Sequence, residues 1–232
     1  MNEEPHPTTP PVRLACLDMA GTIMSDGGIV LEAFESALGA VGLGPERFAG
    51  AMKYARETMG LPKGVVFKGL LDDDELVARA VAAFDSSIEL AIKEDRVSEI
   101  PGATAAMKAL RAGGVKVCLT TGFTDEVQRA VIEHLGWDEV IDFFLSPSAA
   151  VRGRPYPDMI LTAGLRATID DVREVAIVGD TANDLWSGYR AGASVVAGVL
   201  TGSHERAELE QAPYTHILSS IIDFPPVVVK DR

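Results

Sequence analysis

Several features that mark other protein classes are scarce or missing in this 232-residue sequence. It has only two cysteines, Cys16 and Cys118, and both lie in apolar runs that favour buried reduced thiols over a disulfide. No apolar run approaches the roughly 18–20 residues that a membrane span requires. The apolar fraction of 47% and the charged fraction of 24% are those of a globular chain. We therefore expect a cytoplasmic protein with no membrane partner.

Basic charge is also scarce. The 21 Lys and Arg residues are outnumbered by 34 Asp and Glu residues, which gives a formal net charge of −13. A nucleic-acid-binding protein normally presents a basic face, so we expect no nucleic-acid partner. The acidic, proline-rich residues 1–11 lack the basic start and apolar middle of a signal peptide and predict a disordered leader.

Strand-like and helix-like segments alternate from residue 101 onward. Together with a strand predicted over 13–17, this alternation indicates right-handed βαβ units. The predicted fold class is α/β, a Rossmann-like parallel sheet core with helices on both faces. A block with helical periodicity (31–41, 46–59 and 72–95) interrupts the alternation and predicts an inserted all-helical domain. The expected division is a core of residues 12–28 and 98–232 with an insert of residues 29–97.

Polar side chains follow several of the predicted strands. They are Asp18, Thr121 with Gly122, Arg154, and the pair Asp180 and Asp184. Ligands of a parallel sheet bind in the crevice at the carboxyl ends of its strands, so these side chains are expected to meet there. A carboxylate can attack phosphorus, paired carboxylates can hold Mg²⁺, and a hydroxyl and a guanidinium can bind phosphoryl oxygens.

Each of these residues has an ordinary structural explanation when it is taken alone. A carboxylate or threonine after a strand often caps a helix or closes a turn, and an arginine is commonly a surface residue. The chemical interpretation therefore depends on their order along the chain and on their common position at strand ends.

The ordered set of motifs resembles the haloacid dehalogenase superfamily. The set comprises DxxGT at 18–22, the strand-ending Thr-Gly, the arginine before proline and GDxxxD at 179–184, and the resemblance extends from residue 13 to about 202. Within the superfamily, DMAGT, TTGFT, GRPYP and VGDTANDLWSG are most similar to phosphonoacetaldehyde hydrolases. The insert of residues 29–97 then corresponds to the helical cap of the superfamily, and we call it the cap.

The resemblance implies an Mg²⁺ cofactor and an aspartyl-phosphate intermediate. Asp18 would be the nucleophile, and Mg²⁺ would bind Asp18, the backbone carbonyl of Ala20 and Asp180. Asp184 would be a further ligand or the partner of a ligand.

The resemblance also implies a set of substrate contacts. Thr121 and Arg154 would hold the phosphoryl group as part of the catalytic machinery, with Thr22 and Gly122 contributing to phosphate binding. Met59, next to the cap loop, would contact the substrate.

The nature of the substrate depends on two positions. Ordinary phosphatases of the superfamily have a general acid two residues after the nucleophile, where this chain has Ala20. Phosphonoacetaldehyde hydrolases share the alanine and activate the leaving group through a cap lysine that forms a Schiff base with the aldehyde. The segment MGLPK at 59–63 is similar to their cap loop. This similarity places Lys63 at the position of the Schiff-base lysine.

Two departures leave the role of Lys63 open. Phosphonoacetaldehyde hydrolases have a histidine three residues after the lysine and a tyrosine two residues after the motif threonine. Here these positions hold Val66 and Phe123. Lys63 is either the Schiff-base lysine, a cation that binds anionic substrate groups, or a solvated side chain.

The predicted function is Mg²⁺-dependent hydrolysis of phosphonoacetaldehyde or a related small phosphonate to phosphate and an aldehyde. The alternative is a phosphatase that acts on a small phosphate monoester. Two other functions are disfavoured. A metal-independent dehalogenase would not need the carboxylates of Asp180 and Asp184, and a binding protein that has lost activity would not need the complete set of motifs. The partner is thus a small-molecule phosphonate or phosphate, and a homodimer is compatible with the sequence.

Overall fold

A computed structural model describes residues 10–25 and 27–229, so most of the predicted leader lies outside the described residues. Six parallel strands form the main sheet in the order β5-β4-β1-β6-β7-β8. This confirms the predicted parallel sheet. The strands are Leu14–Asp18 (β1), Lys116–Thr120 (β4), Phe143–Leu145 (β5), Val175–Gly179 (β6), Val195–Val199 (β7) and His216–Leu218 (β8).

Helices cover both faces of this sheet. Strand β1 is buried along its whole length, and its side chains alternate between two apolar layers, with Ala15 and Leu17 in one and Leu14 and Cys16 in the other. The first layer is completed by α5 (Ala103–Ala112), α6 (Asp125–His134) and α10 (Phe224–Val228), and the second by α7 (Asp158–Arg166), α8 (Ala182–Ala191) and α9 (Arg206–Leu209). Cys16 lies opposite Cys118 on the neighbouring strand, and both are free, buried thiols.

The helical insert lies between two short strands that pair with each other, β2 (Met24–Ser25) and β3 (Ser98–Glu99). Its helices are α1 (Ile29–Ala40), α2 (Pro45–Glu57), α3 (Lys63–Lys68) and α4 (Asp74–Lys93). Helix α4 begins after Asp73 because that carboxylate accepts hydrogen bonds from the backbone N–H groups of Glu75 and Leu76. The division into a core and a cap with the boundaries given above remains our proposal.

An aromatic cluster forms the centre of the insert. The rings of Phe34, Phe67 and Phe84 lie with their centroids 5.0–6.3 Å apart. All three are fully buried, which fixes α1, α3 and α4 against one another. No helix among the described residues is both long enough and apolar enough to cross a membrane.

Candidate active site

The strands β4, β1 and β6 are neighbours, so the polar residues at their carboxyl ends meet at one edge of the sheet. A cavity of about 230 Å³ opens there, between the sheet edge and the insert. Eight of the predicted site residues line it: Asp18, Ala20, Met59, Lys63, Thr121, Gly122, Arg154 and Asp180. Thr22 and Asp184 lie behind this wall, where each is hydrogen-bonded to a residue that lines the cavity.

Asp18 is held by two donors. The hydroxyl of Thr22 donates to Oδ2 at 3.0 Å, and Nη1 of Arg154 donates to Oδ1 at 2.6 Å. The hydroxyl of Thr22, which we expected to contribute to phosphate binding, is thus directed at the carboxylate of Asp18 and orients it. Burial raises the pKa of Asp18 to about 6 despite the attraction of Arg154, and the nearby charge of Asp184 adds to the increase.

Three buried carboxylates form a cluster beside the cavity. Asp18, Asp180 and Asp184 each offer one oxygen within 4.8 Å of the others. Burial, with the charges of Asp18 and Asp184, raises the pKa of Asp180 well above its ordinary value. Carboxylates that repel one another in this way fit a hard divalent cation, which takes oxygen ligands and supplies the missing positive charge.

The carboxylate of Asp180 is enclosed by backbone. The N–H of Ser203 donates to Oδ2 at 2.6 Å. A Cβ atom at Gly21 or at Gly202 would collide with this carboxylate, and Gly21 also has a positive φ of 83°. Glycine at these two positions therefore lets the loops after β1 and β7 close around Asp180.

Arg154 provides positive charge beside the carboxylates of the site. Its Nη1 atom contacts both Asp18 and Asp184. Burial acts to lower the pKa of this guanidinium, but the attraction of Asp184 and Asp18 outweighs it, so the pKa lies above its ordinary value. Its buried Nε–H has no hydrogen-bond partner among residues 10–25 and 27–229. An anionic oxygen in the cavity would be a suitable acceptor for this donor.

Thr121 follows β4 and faces the cavity in a tight turn. Its hydroxyl oxygen accepts a hydrogen bond from the backbone N–H of Phe123 at 3.2 Å, and its side chain is buried. The hydroxyl hydrogen can then point towards an anion in the cavity.

The segment 59–63, which leads into α3 and includes its first residue, lies directly on the sheet edge. The backbone N–H of Lys63 donates to the carbonyl of Gly122 at 3.3 Å. A Cβ atom at Gly122 would lie 2.6 Å from the carbonyl oxygen of Leu61, so a larger residue would prevent this approach. The cap loop and the strand end are thus packed backbone against backbone.

Lys63 is buried, which excludes the interpretation of a solvated side chain. Its Nζ atom lies 5.1 Å, 5.3 Å and 5.6 Å from the ring centroids of Phe34, Phe84 and Phe123. Three phenyl faces favour a cation at this position. Val66 is buried in the same apolar cluster as Phe34, Phe67 and Phe84, and its side chain supplies no polar group near the lysine.

The sequence did not indicate four of the residues around this site. Phe34 and Phe84 surround the lysine, Asp85 lies beside them, and Asn183 contacts the cap loop. The phenylalanines have the helical spacing of ordinary core residues, and Asp85 is one of many acidic residues in α4. Their contacts arise from tertiary packing between segments far apart in sequence.

The chain is similar to proteins of two named activities. It is 30% identical over 219 residues to a phosphonoacetaldehyde hydrolase of Bacteroides fragilis, a match that covers 87% of this chain and 80% of the relative. It is 27% identical over 203 residues to a probable phosphatase of Dickeya dadantii, covering 86% of both chains.

A solved structure has the same fold. It is that of a phosphonoacetaldehyde hydrolase-like protein of Oleispira antarctica, which superposes with a TM-score of 0.78 at 21% identity over 98% of this chain and 95% of that one. The sequence model of the haloacid dehalogenase-like hydrolases matches residues 12–192, and the chain belongs to this family of hydrolases.

Proposed function

We propose that this hydrolase cleaves the phosphorus–carbon bond of phosphonoacetaldehyde or a closely related small phosphonate, in the cytoplasm and with Mg²⁺. The observation that carries the proposal is the position of Lys63. Its amine is buried and lines the same small cavity as Asp18, so a bound substrate of a few heavy atoms can meet both groups. The resemblance to phosphonoacetaldehyde hydrolases supports the same assignment.

In the proposed reaction, Lys63 reacts with the aldehyde group of the substrate and Asp18 reacts with its phosphorus atom. Lys63, as the free amine, condenses with the aldehyde, takes up one proton from solvent and releases water to give a protonated imine. Asp18 then attacks phosphorus. The P–C bond breaks, an O–P bond to Asp18 forms, and the electron pair of the P–C bond becomes the C=C bond of an enamine. Water hydrolyses the aspartyl-phosphate to phosphate, and protonation and hydrolysis of the enamine return Lys63 and acetaldehyde.

The other residues bind and orient. Arg154 and Thr121 hold the phosphoryl oxygens, and Thr22 keeps the carboxylate of Asp18 in place. Asp18, Asp180 and the carbonyl of Ala20 would bind Mg²⁺, with Asp184 beside them. The metal would neutralise charge on the phosphoryl group and on the carboxylates. The substrate is an anion and the chain carries a net charge of −13, so these local cations must provide its affinity.

Reduction with borohydride in the presence of phosphonoacetaldehyde tests the proposal. We expect a reduced adduct on Lys63, detected by peptide mass analysis, and loss of phosphate release in Lys63→Ala. Lys68→Ala is the matched control because Lys68 ends the same helix, is exposed and pairs with Asp74. Absence of an adduct on Lys63, with phosphate release unchanged in Lys63→Ala, would refute the proposal.

The alternative is a phosphatase for a small phosphate monoester. Its specific support is the similarity to the probable phosphatase of Dickeya dadantii. In this case Lys63 would bind an anionic group of the substrate and no adduct would form. Release of phosphate from monoesters by the wild type and by Lys63→Ala, but not by Asp18→Ala, would establish this function.

A further inference from the structure

A hydrogen bond joins the cap to the sheet core beside Lys63. The Asp85 side chain, in the middle of α4, accepts a hydrogen bond on Oδ2 from the hydroxyl of Thr124 at 3.0 Å. Thr124 precedes α6 and belongs to the loop that follows β4. One carboxylate of the cap is therefore anchored to the loop that carries Thr121 and Gly122.

The residues directly before Asp85 and Thr124 both contact the lysine. Phe84, before Asp85, and Phe123, before Thr124, are two of the three rings that surround Nζ of Lys63. A groove on the outer side of the cap loop has Lys63, Phe123 and Thr124 in its wall, together with Val81, one helical turn before Asp85. Asp85 thus follows a ring that surrounds the lysine and lies one helical turn after a residue of the same groove.

The second oxygen of Asp85 is buried and unsatisfied. Oδ1 has no hydrogen-bond partner within the part of the chain that the structure describes. The charged groups that act on this carboxylate are Glu126 of α6, Glu89 of α4 and Lys63 of α3. Burial raises the pKa of Asp85 to about 6, whereas the hydrogen bond from Thr124 and the charge of Lys63 act to lower it. Because a Coulombic interaction is mutual, the ionised carboxylate favours positive charge on Lys63.

We propose that Asp85 is a positioning residue that stabilises positive charge at Nζ of Lys63, first on the amine and then on the imine. The part that concerns the imine rests on the proposed function. Cleavage of the P–C bond needs a protonated imine, because the electron pair of that bond must end on a cationic C=N group. A negative charge that acts on Nζ favours the protonated imine, and Asp85 itself neither gains nor loses a proton in this step.

The titration of Lys63 tests the electrostatic part without any substrate. The chain has seven lysines, so protein labelled with ¹³C at lysine Cε gives few signals, and Lys63→Met identifies the signal of interest. We expect Asp85→Asn to lower the pH midpoint of this signal by about 1 unit. Asp85→Glu keeps the charge and should leave the midpoint within a few tenths of a unit of the wild type.

Glu89→Gln is the matched control. It removes one negative charge from the next turn of the same helix, without touching the Thr124 hydrogen bond, and should shift the midpoint by less than Asp85→Asn does. A midpoint that is unchanged in folded Asp85→Asn, or that moves equally in Glu89→Gln, would overturn the proposal.

Kinetics test the catalytic consequence. We expect Asp85→Asn to lower kcat for phosphonoacetaldehyde about tenfold with a smaller change in KM, because the cationic imine is less stabilised, and we expect Asp85→Glu to restore kcat. Equal loss of activity in Asp85→Asn and Asp85→Glu would indicate a packing role and contradict the proposal. If the wild type gives no adduct on Lys63, the proposed function fails, whereas the titration still decides whether Asp85 acts on this lysine.

Discussion

Nδ2 of Asn183 donates a hydrogen bond to the backbone carbonyl oxygen of Met59 at 2.8 Å. Asn183 belongs to the GDxxxD segment at the start of α8, and Met59 opens the cap loop. A side chain within the carboxylate motif therefore holds the loop that leads to Lys63. Docking of the cap and formation of the carboxylate cluster are structurally connected at this point.

Removal of this hydrogen bond should weaken the docking of the loop. We expect Asn183→Ala to lower kcat/KM about 3–10-fold, since a net hydrogen bond contributes about 0.5–1.5 kcal/mol. The thermal midpoint should change little, because most of α8 packs on the sheet independently of the cap. Steady-state kinetics with the preferred substrate provide the measurement. Tyr189→Phe, on the exposed side of the same helix, serves as the control, and equal losses in both variants would contradict this role.

Two glycines of the cap loop region allow a matched comparison. Gly60 has a φ of 84°, and a Cβ atom there would lie 2.5 Å from Oγ1 of Thr181. Gly64, in α3, has no atom within 4 Å of an added Cβ. Gly60→Ala should reduce kcat/KM at least tenfold because an alanine at positive φ costs about 1–2 kcal/mol and also displaces the loop. Gly64→Ala should retain activity and stabilise its helix by about 0.5–1 kcal/mol.

Activity and thermal denaturation of both variants check this prediction. A fully active Gly60→Ala enzyme would show that catalysis does not need the loop in the position described. Inactivity of Gly64→Ala would show that the region tolerates no change, which would remove the basis of the comparison.

The positions of most site residues could be predicted because they depend on local signals. Asp18, Thr121 and Asp180 each follow an apolar run that forms a strand, and the structure places those runs side by side as parallel pairing requires. The helical segment predicted over 72–95 is α4, which spans Asp74–Lys93, because helical periodicity is a local signal in the sequence. In these cases a local pattern in the sequence directly specifies the structural element.

Other elements depend on packing between distant segments. The strands β2 and β3 have two residues each and β8 has three partly buried residues. Such short segments show no alternation of apolar and polar residues from which a strand could be predicted. The short helices α9 and α10 were not predicted for the same reason. The surroundings of Lys63 combine Phe34, Phe84 and Phe123 from three segments, and only the folded chain brings these together.

Binding of a divalent cation should be visible in stability. The pKa of Asp180 is raised in the folded chain, so its charge destabilises the metal-free fold at neutral pH, and Asp180→Asn should raise the thermal midpoint without metal. Saturating Mg²⁺ should stabilise the wild type by about 2.7 kcal/mol at 100 times its Kd, and Asp180→Asn should lose this gain. Calorimetric scans with and without Mg²⁺ measure both effects.

Asp125→Asn is a suitable control for the metal experiment. Asp125 is exposed at the start of α6 and pairs with Arg129, away from the carboxylate cluster. This variant should keep the full response to Mg²⁺. A response that persists in Asp180→Asn would place the cation elsewhere.

The pH dependence of stability should carry a contribution from Asp85. Its pKa is about 6 in the folded chain and 3.8 without the surroundings of the fold, so the folded state binds more protons between these values. The free energy of unfolding therefore falls as the pH rises from about 4 to about 6, and the loss is complete above pH 6. Asp85→Asn lacks this loss. Its stability relative to the wild type should thus increase across that window and stay constant at higher pH.

Urea denaturation at pH 4.5 and pH 7.5 measures this difference directly. Asp74→Asn, at the start of the same helix, removes an exposed carboxylate paired with Lys68 and is the control for loss of a surface charge from α4. Since Asp85→Asn is expected to be more stable at pH 7.5 yet slower in catalysis, the wild-type carboxylate would be retained at a cost in stability. An Asp85→Asn variant that is less stable than the wild type at pH 7.5 would mean that the carboxylate mainly holds the cap on Thr124.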